Sequence, residues 1–255
     1  MLSAKRKSDG QTVAAYFESK RNAPFLCLQC NEEVVLKTGR TRINHFAHTD
    51  PLACAFANGE SELHRRCKLE IYEELLKEPN VWNVELERPL GTVRPDVSAY
   101  IQGVPVAIEV QISSLSIETL MYRTIEYFRK GIYVLWLLQW TPELDAPRYA
   151  PRLWEKWIHT AYFGRGYYWT AGLNVVSYQF EPHLKSVTKT FWNSKTRKKM
   201  TARGFSRRSK RYRTTVRSGF LNLSTDFGPK DRFWWDGNGI IVPDAKLFMP
   251  RSLNR

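Results

Sequence analysis

The sequence predicts an α/β fold with a helix-strand-strand-strand-helix-strand (αβββαβ) core, and three observations predict it. Residues 60 to 140 run through helical and extended apolar periods in that order, short alternating segments with paired cysteines and histidines precede them, and a concentrated run of positive charge follows. The expected organisation is a small metal-bound β region at 1–57, an α/β core at 58–183 and a basic, aromatic C-terminal extension at 184–255.

A chain of 255 residues with 43% hydrophobic and 25% charged side chains is long enough to bury a substantial core and has the composition of a folded globular protein. Its net charge of +14 is unevenly spread. Lys185 to Arg217 holds 13 Lys or Arg and no Asp or Glu, which leaves 26 basic against 25 acidic residues elsewhere. A neutral body with one basic segment points to a polyanionic partner, most simply nucleic acid. The four cysteines, 27, 30, 54 and 67, are too few and too unevenly placed for a disulfide framework. A CxxC pair followed by histidines points instead to a metal in a reducing compartment. The start, MLSAKRKSDG, has no apolar segment of the signal-peptide kind, and the run IYVLWLL is too short to span a bilayer. A cytoplasmic location with no membrane partner is expected.

The segments TVAAYF, PFLCLQC, EVVLK and TRINHFAH, within residues 11 to 49, read as a small antiparallel sheet. They carry Cys27-x2-Cys30 and His45-x2-His48, two ligand pairs separated by a loop of 14 residues. Such a set suits tetrahedral zinc, and a sheet this small needs a staple to be ordered. The histidines are spaced more tightly than in ordinary zinc fingers, so Cys54 is an alternative to one of them.

After Asn58-Gly59, residues 60 to 78 have apolar side chains at Leu63, Cys67, Ile71, Tyr72, Leu75 and Leu76, the spacing of a helix that Pro79-Asn80 ends. Glu62, His64 and Lys68 lie off this stripe. Three strand-like runs follow: VWNVELE, RPDVSAYI and VPVAIEVQI. Asp96 opens the second and Glu109 lies near the end of the third, with a Gly-Val-Pro turn between. Neighbouring strands would bring the two carboxylates together, as oxygen ligands for a hard divalent cation or as solvated strand-end acids. A helix opened by Ser116 and stopped by Gly131 comes next, with Ile117, Leu120, Met121, Ile125 and Phe128 expected on its buried side. Arg123, Tyr127 and Lys130 then line the other side, toward a ligand or water. The continuously apolar IYVLWLL reads as a central or parallel strand, completing a right-handed crossover.

Beyond an amphipathic helix at 152 to 163, the aromatic GRGYYW and the strand LNVVSYQF lead into the basic segment. Its Lys198, Lys199, Arg207, Arg208, Lys210, Arg211 and Arg213 are interleaved with Phe191, Trp192, Phe205 and Tyr212. Cations neutralise phosphates and rings stack on unpaired bases, so single strands or branched DNA are expected ahead of plain duplex; a solvated basic tail is the other reading. The closing stretch is too aromatic for a disordered tail and is expected to pack on the body.

Helix, three strands, helix and strand, with Pro95-Asp96 and Glu109-Val110-Gln111 in the second and third strands, resemble the PD-(D/E)xK restriction-endonuclease-like core. The ordered series CxxC, HFAH, SELH with Lys68 four residues on, RPDV, IEVQ-S and Arg123-x3-Tyr127 is similar to the competence protein CoiA family, over about residues 11 to 180. The resemblance implies hydrolysis of DNA phosphodiesters assisted by magnesium or manganese, in recombination of incoming or branched DNA, with recombination proteins as candidate partners. It implies Asp96 and Glu109 as ligands of the catalytic ion, Glu62 as completing its shell, and Arg123 and Tyr127 as part of the DNA-facing set. Gln111 stands where most of that superfamily has lysine, and a neutral amide orients water without supplying charge. Lys68, Arg123 or a second metal could supply it, and His64 could act as acid or base. A non-catalytic DNA-binding recombination mediator on the same scaffold is the alternative function.

Overall fold

The computed structural model describes residues 1–50, 54, 60–201, 204–237 and 239–253. The expected Asn58-Gly59 break and the boundary at 57 and 58 lie outside the described residues.

Five short strands form the first sheet: β1 (Ser3–Arg6), β2 (Thr12–Ala14), β3 (Phe25–Leu26), β4 (Glu33–Lys37) and β5 (His45–His48). Their order is β2-β1-β3-β4-β5, with every neighbouring pair antiparallel. β4 alternates as the sequence predicts, burying Val34 and Leu36 against Phe25 and Phe46. β1 extends the sheet before residue 11. Ser-Ala-Lys-Arg has no strand-like alternation, yet Ser3 and Ala4 are buried because β1 also docks on the second body of the chain.

The core begins with α1 (Glu62–Leu75), where Ser61 caps the helix by accepting from the His64 N–H. β6 (Val81–Leu86), β7 (Val97–Ile101) and β8 (Val104–Gln111) form an antiparallel meander. The β7–β8 turn is Gln102-Gly103, both at positive φ as a two-residue hairpin requires, so Val104 and Pro105 belong to β8 and not to the turn. α2 (Ile117–Arg129), capped by Ser116 and ended at Gly131 with φ +70°, crosses to β9 (Tyr133–Gln139), parallel to β8. The observed order through β9 is therefore helix, three strands, helix, strand.

A second crossover through α3 (Leu153–Ala161) reaches β10 (Arg165–Ala171), parallel to β9, so the RGYYW of the aromatic segment is itself strand. β11 (Asn174–Val187) returns antiparallel, and position 184 lies within it. The hairpin β12 (Thr190–Asn193) and β13 (Lys198–Thr201) follows, then the 18-residue β14 (Phe205–Asn222), which pairs back on β11. β15 (Phe227–Arg232), β16 (Trp235–Gly237), β17 (Ile240–Val242) and β18 (Ala245–Pro250) complete the chain. β18 pairs with β15 and lies parallel to β9, so the closing stretch does pack on the body.

The large sheet runs β14-β11-β10-β9-β8-β7-β6. β9 is central and buried along its length, and Trp136, Trp157, Tyr162 and Tyr167 fill the core around it. Val134, Leu135, Leu137 and Leu138 of β9 are buried with them, each contributing on the order of 1.5–3 kcal/mol through burial. Among the described residues no helix is long and apolar enough to cross a membrane.

Candidate functional site

β7 and β8 bring their acids to one place. The ladder ends at Val97 opposite Ile108, which leaves Asp96 level with Glu109 on the neighbouring strand. Asp96 Oδ2 accepts from the Val110 N–H at 2.8 Å and lies 3.1 Å from His64 Nε2. Its other oxygen is 3.6 Å from Lys68 Nζ. His64 and Lys68 are one helical turn apart on α1, so both reach the same carboxylate. Glu60, just before the Ser61 cap, lies 2.8 Å from His64 Nδ1 and also pairs with Lys68.

Lys68 is fully enclosed and meets Glu87 at 2.5 Å. The other oxygen of Glu87 accepts from the N–H of Leu2 at 2.9 Å and of Ser3 at 3.3 Å, so one carboxylate joins β1 of the first sheet to this cluster. Glu87 holds φ at +53°, a strained conformation for a glutamate, maintained by these contacts.

Burial raises the carboxyl of Asp96, but the imidazolium of His64 and the ammonium of Lys68 outweigh it and hold Asp96 well below the usual carboxylate range. Burial likewise opposes the charge on His64, and Asp96 and Glu60 overcome it, lifting the imidazole to about 9. Lys68 is raised against burial by Glu87, Asp96 and Glu60. Each group stays charged because its neighbours carry the opposite sign.

Glu109 is fully buried and turns toward α2. Its Oε1 accepts from both Arg123 and Tyr127, and the Arg123 guanidinium lies 5.3 Å from the Trp136 ring. Its Oε2 is buried with no hydrogen-bond partner. Burial pushes Glu109 up to about 7, and Arg123 keeps it from rising further. Arg123 and Tyr127 therefore correct the expected outward face of α2. Tyr127 is fully enclosed and cannot contact DNA, whereas Phe128, expected inside, is exposed. The helix is rotated because a buried carboxylate needs donors more than the core needs one further ring.

Glu62 is not brought into the cluster. Its carboxylate accepts from the Ile43 N–H at 2.7 Å and pairs with Arg65 at 3.0 Å, and its side chain is 42% exposed. Gln111 is buried nearby, but its amide donates to the Ser113 carbonyl and not toward the acids. Glu60 and Glu87 were not identified from the sequence. Glu60 carried a signal, because positions 60, 64 and 68 lie at four-residue spacing. Glu87 carried none, since its partners are 19 and some 85 residues away in sequence.

In the first sheet, the ligand atoms of Cys27, Cys30, His48 and Cys54 lie within 4.8 Å of one another, and Cys30 Sγ is 3.3 Å from His48 Nε2. Three thiols and an imidazole are a donor set that fits tetrahedral zinc. His45 is left out, its Nδ1 lying 2.9 Å from the Ile43 carbonyl. Residues three apart on a strand project to opposite faces, so β5 cannot aim both histidines at one ion, and Cys54 takes the place.

The basic residues form an arm. β11 and β14 pair through Lys185 with Arg207 and Leu184 with Arg208, and β12–β13 continue outward with Lys198 and Lys199. Lys210 and Arg211 follow on β14, and Arg213 pairs with Pro182 at the arm's base. The Tyr212 ring receives Arg148, Lys185 and Arg211 at 4.7 to 5.4 Å. Trp192 is 66% exposed. The acids lie near the carboxyl end of β8, whereas the arm leaves beyond the amino end of β10, past the Arg165–Gln179 pair. The strands are staggered, however: Glu109 pairs with Trp136 and Leu137 with Tyr167, so the acids stand level with the amino end of β10, two strands across the sheet from the root of the arm.

Two family models match the chain: Competence protein CoiA, N-terminal domain, over residues 9–57, and Competence protein CoiA, nuclease-like domain, over residues 60–145. The second range takes in Glu60, His64, Lys68, Asp96 and Glu109. A curated relative, Competence protein CoiA of Bacillus subtilis (strain 168), is 31% identical over 117 residues. That match covers 45% of this chain and 31% of the relative, so the chain spans well under half of the relative's length. No solved structure matches this chain.

Proposed function

The chain belongs to the competence protein CoiA family, and from that premise we propose that it is a magnesium- or manganese-dependent deoxyribonuclease built on a PD-(D/E)xK-type core. Its substrate in this reading is single-stranded or branched DNA. One observation carries the reading: Glu60, His64 and Asp96 gather within 4.8 Å beside Glu109, whose Oε2 is buried and unpartnered. An orphaned carboxylate oxygen next to other acids suits a hard cation.

Asp96, Glu109 and Glu60 are the residues that would hold such an ion; when bound, it supplies Lewis acidity at the scissile phosphate and lowers the pKa of an attacking water. Arg123 and Tyr127 fix Glu109 Oε1 and thereby orient the free Oε2. Lys68, close to Asp96, supplies the positive charge that Gln111 lacks. His64, protonated at neutral pH, is the side-chain proton donor nearest Asp96. Cys27, Cys30, His48 and Cys54 would hold a structural zinc.

The relative is named as a competence protein. For this chain we propose processing of incoming DNA in recombination, in the cytoplasm, with recombination proteins as partners. None of the four cysteines is paired in a disulfide, in keeping with a reducing compartment.

The test is cleavage of labelled single-stranded, duplex and branched DNA in magnesium or manganese. Asp96→Asn and Glu109→Gln should each lower the rate at least about a hundredfold with the fold retained. Unchanged cleavage would remove these residues from the chemistry.

The Gln111 amide, committed to Ser113, favours a second reading, a non-catalytic DNA-binding recombination mediator. That reading expects no cleavage in either metal and salt-sensitive DNA binding that survives Asp96→Asn.

A further inference from the structure

The large sheet forks at β9. One edge of this strand pairs with β8, and the other is shared, with β10 against Leu137 to Gln139 and β18 against Val134. Between the diverging branches lies a cavity of about 320 Å³ lined by Phe163, Arg165, Gln179, Lys230 and Met249.

The charged groups here are all cations. Arg165 and Lys230 line the cavity, and Arg232 lies two residues further along β15 with its guanidinium 4.3 Å over the Phe163 ring. Among the described residues none of the three has a carboxylate within ion-pair distance. With its amide oxygen turned to Arg165, Gln179 accepts at 2.9 Å, a neutral partner that leaves the charge uncompensated. Arg232 Nε is buried without a partner. Half-buried like charges around one cavity repel unless an anion sits among them. Phe163, exposed at the rim, offers a flat apolar face beside them.

We propose that the fork cavity is a nucleotide subsite, holding one phosphate of an unpaired nucleic-acid strand against Arg165, Lys230 and Arg232, with a base on Phe163. The inference rests on the reading of the chain as acting on DNA and names a second place where it grips the strand. Continuity favours a strand over a free nucleotide. Gln179 at the cavity is three residues before Pro182, where β11 pairs with Arg213 at the base of the basic arm, so the cavity adjoins the arm's root, with the exposed Glu181 between them. Phe233 and Trp234, 78% and 60% exposed, follow directly after Arg232 and supply further rings for stacking. A strand running from the cavity to the arm passes the amino end of β10, which is level with Glu109 and two strands across the sheet from it.

The experiment measures binding of a labelled single-stranded oligonucleotide to the full chain by anisotropy, in EDTA and over a salt series. Arg165→Gln with Lys230→Gln should weaken binding about tenfold at fixed salt and flatten the log–log salt slope by about 0.7, as expected for one lost single-strand phosphate contact. Lys230→Gln alone, which keeps the Arg165–Gln179 contact, should weaken binding and flatten the slope by a smaller amount in the same direction, and guards against a folding defect in the double variant. Unchanged affinity and slope in both would overturn the subsite. So would a mononucleotide that saturates the cavity without competing with the oligonucleotide, because the site would then serve a free nucleotide. Normal binding by the variants, with cleavage still lost in Asp96→Asn, would reject the fork and leave the nuclease reading standing. Weakened binding by the variants, with no cleavage by the native chain in either metal, would do the reverse.

Discussion

Lys68 and Glu87 meet at 2.5 Å in the interior, and the second oxygen of Glu87 is taken by the backbone of Leu2 and Ser3. One carboxylate thus binds the lysine nearest the candidate acids and the strand that docks the first sheet. Glu87→Gln keeps the shape but removes the charge opposing a fully buried ammonium. We expect a loss of about 3 kcal/mol, the scale for breaking a buried pair from one side. Chemical denaturation measures it, and limited proteolysis should show residues 1 to 50 released earlier than in the native chain. Native stability in the variant would mean that Glu60 and Asp96 alone hold Lys68.

Zinc content separates Cys54 from His45. His45→Ala should retain close to one zinc per chain, because its ring faces the Ile43 carbonyl, whereas Cys54→Ser and Cys27→Ser should each lose most of it. Metal analysis of purified protein gives the result directly. Equal losses in His45→Ala and Cys54→Ser would refute this ligand set.

His159 makes the fold sensitive to acid. Its ring is buried on Phe180 with centroids 3.7 Å apart, its Nε2 has no partner, and burial drives its pKa down to about 3. A histidine depressed in the folded state adds stability above the unfolded value near 6.5, and that stability is lost progressively as the pH falls. Between pH 7 and pH 5 this one group should cost about 2 kcal/mol. His159→Phe should flatten that part of the stability profile, as followed by denaturant titration at each pH. An unchanged slope would assign the acid sensitivity elsewhere.

Much of this architecture was legible in local pattern. Ser61 and Ser116 at the caps, Gly131 at a helix end and the apolar run of β9 fixed the order of the core, because each acts within a few residues of itself. What escaped depends on distant partners. β1 looks polar and becomes a strand by docking on Glu87, and α2 is turned inward at Tyr127 by a carboxylate on another element. The fork at β9 depends on β18, which follows it by more than a hundred residues. His45 is the exception: strand parity alone shows that it and His48 cannot share an ion, and that reasoning was available from the spacing.

Glu109 sets how the proposed catalytic ion depends on pH. Burial raises its carboxyl to about 7, and the guanidinium of Arg123 prevents a larger shift. Below that value Glu109 is protonated, and the proton must leave before the free Oε2 can serve as a charged ligand oxygen. Manganese affinity should therefore rise about tenfold per unit between pH 5 and pH 7 and level off above it. Arg123→Gln removes the charge that favours the carboxylate, so the plateau should begin at higher pH and affinity at pH 7 should fall. Calorimetric manganese titrations of both proteins at several pH values measure this without any cleavage assay. A native profile flat from pH 5 to 8 would mean that Glu109 does not bind the ion, and the metal would then have to rest on Glu60 and Asp96.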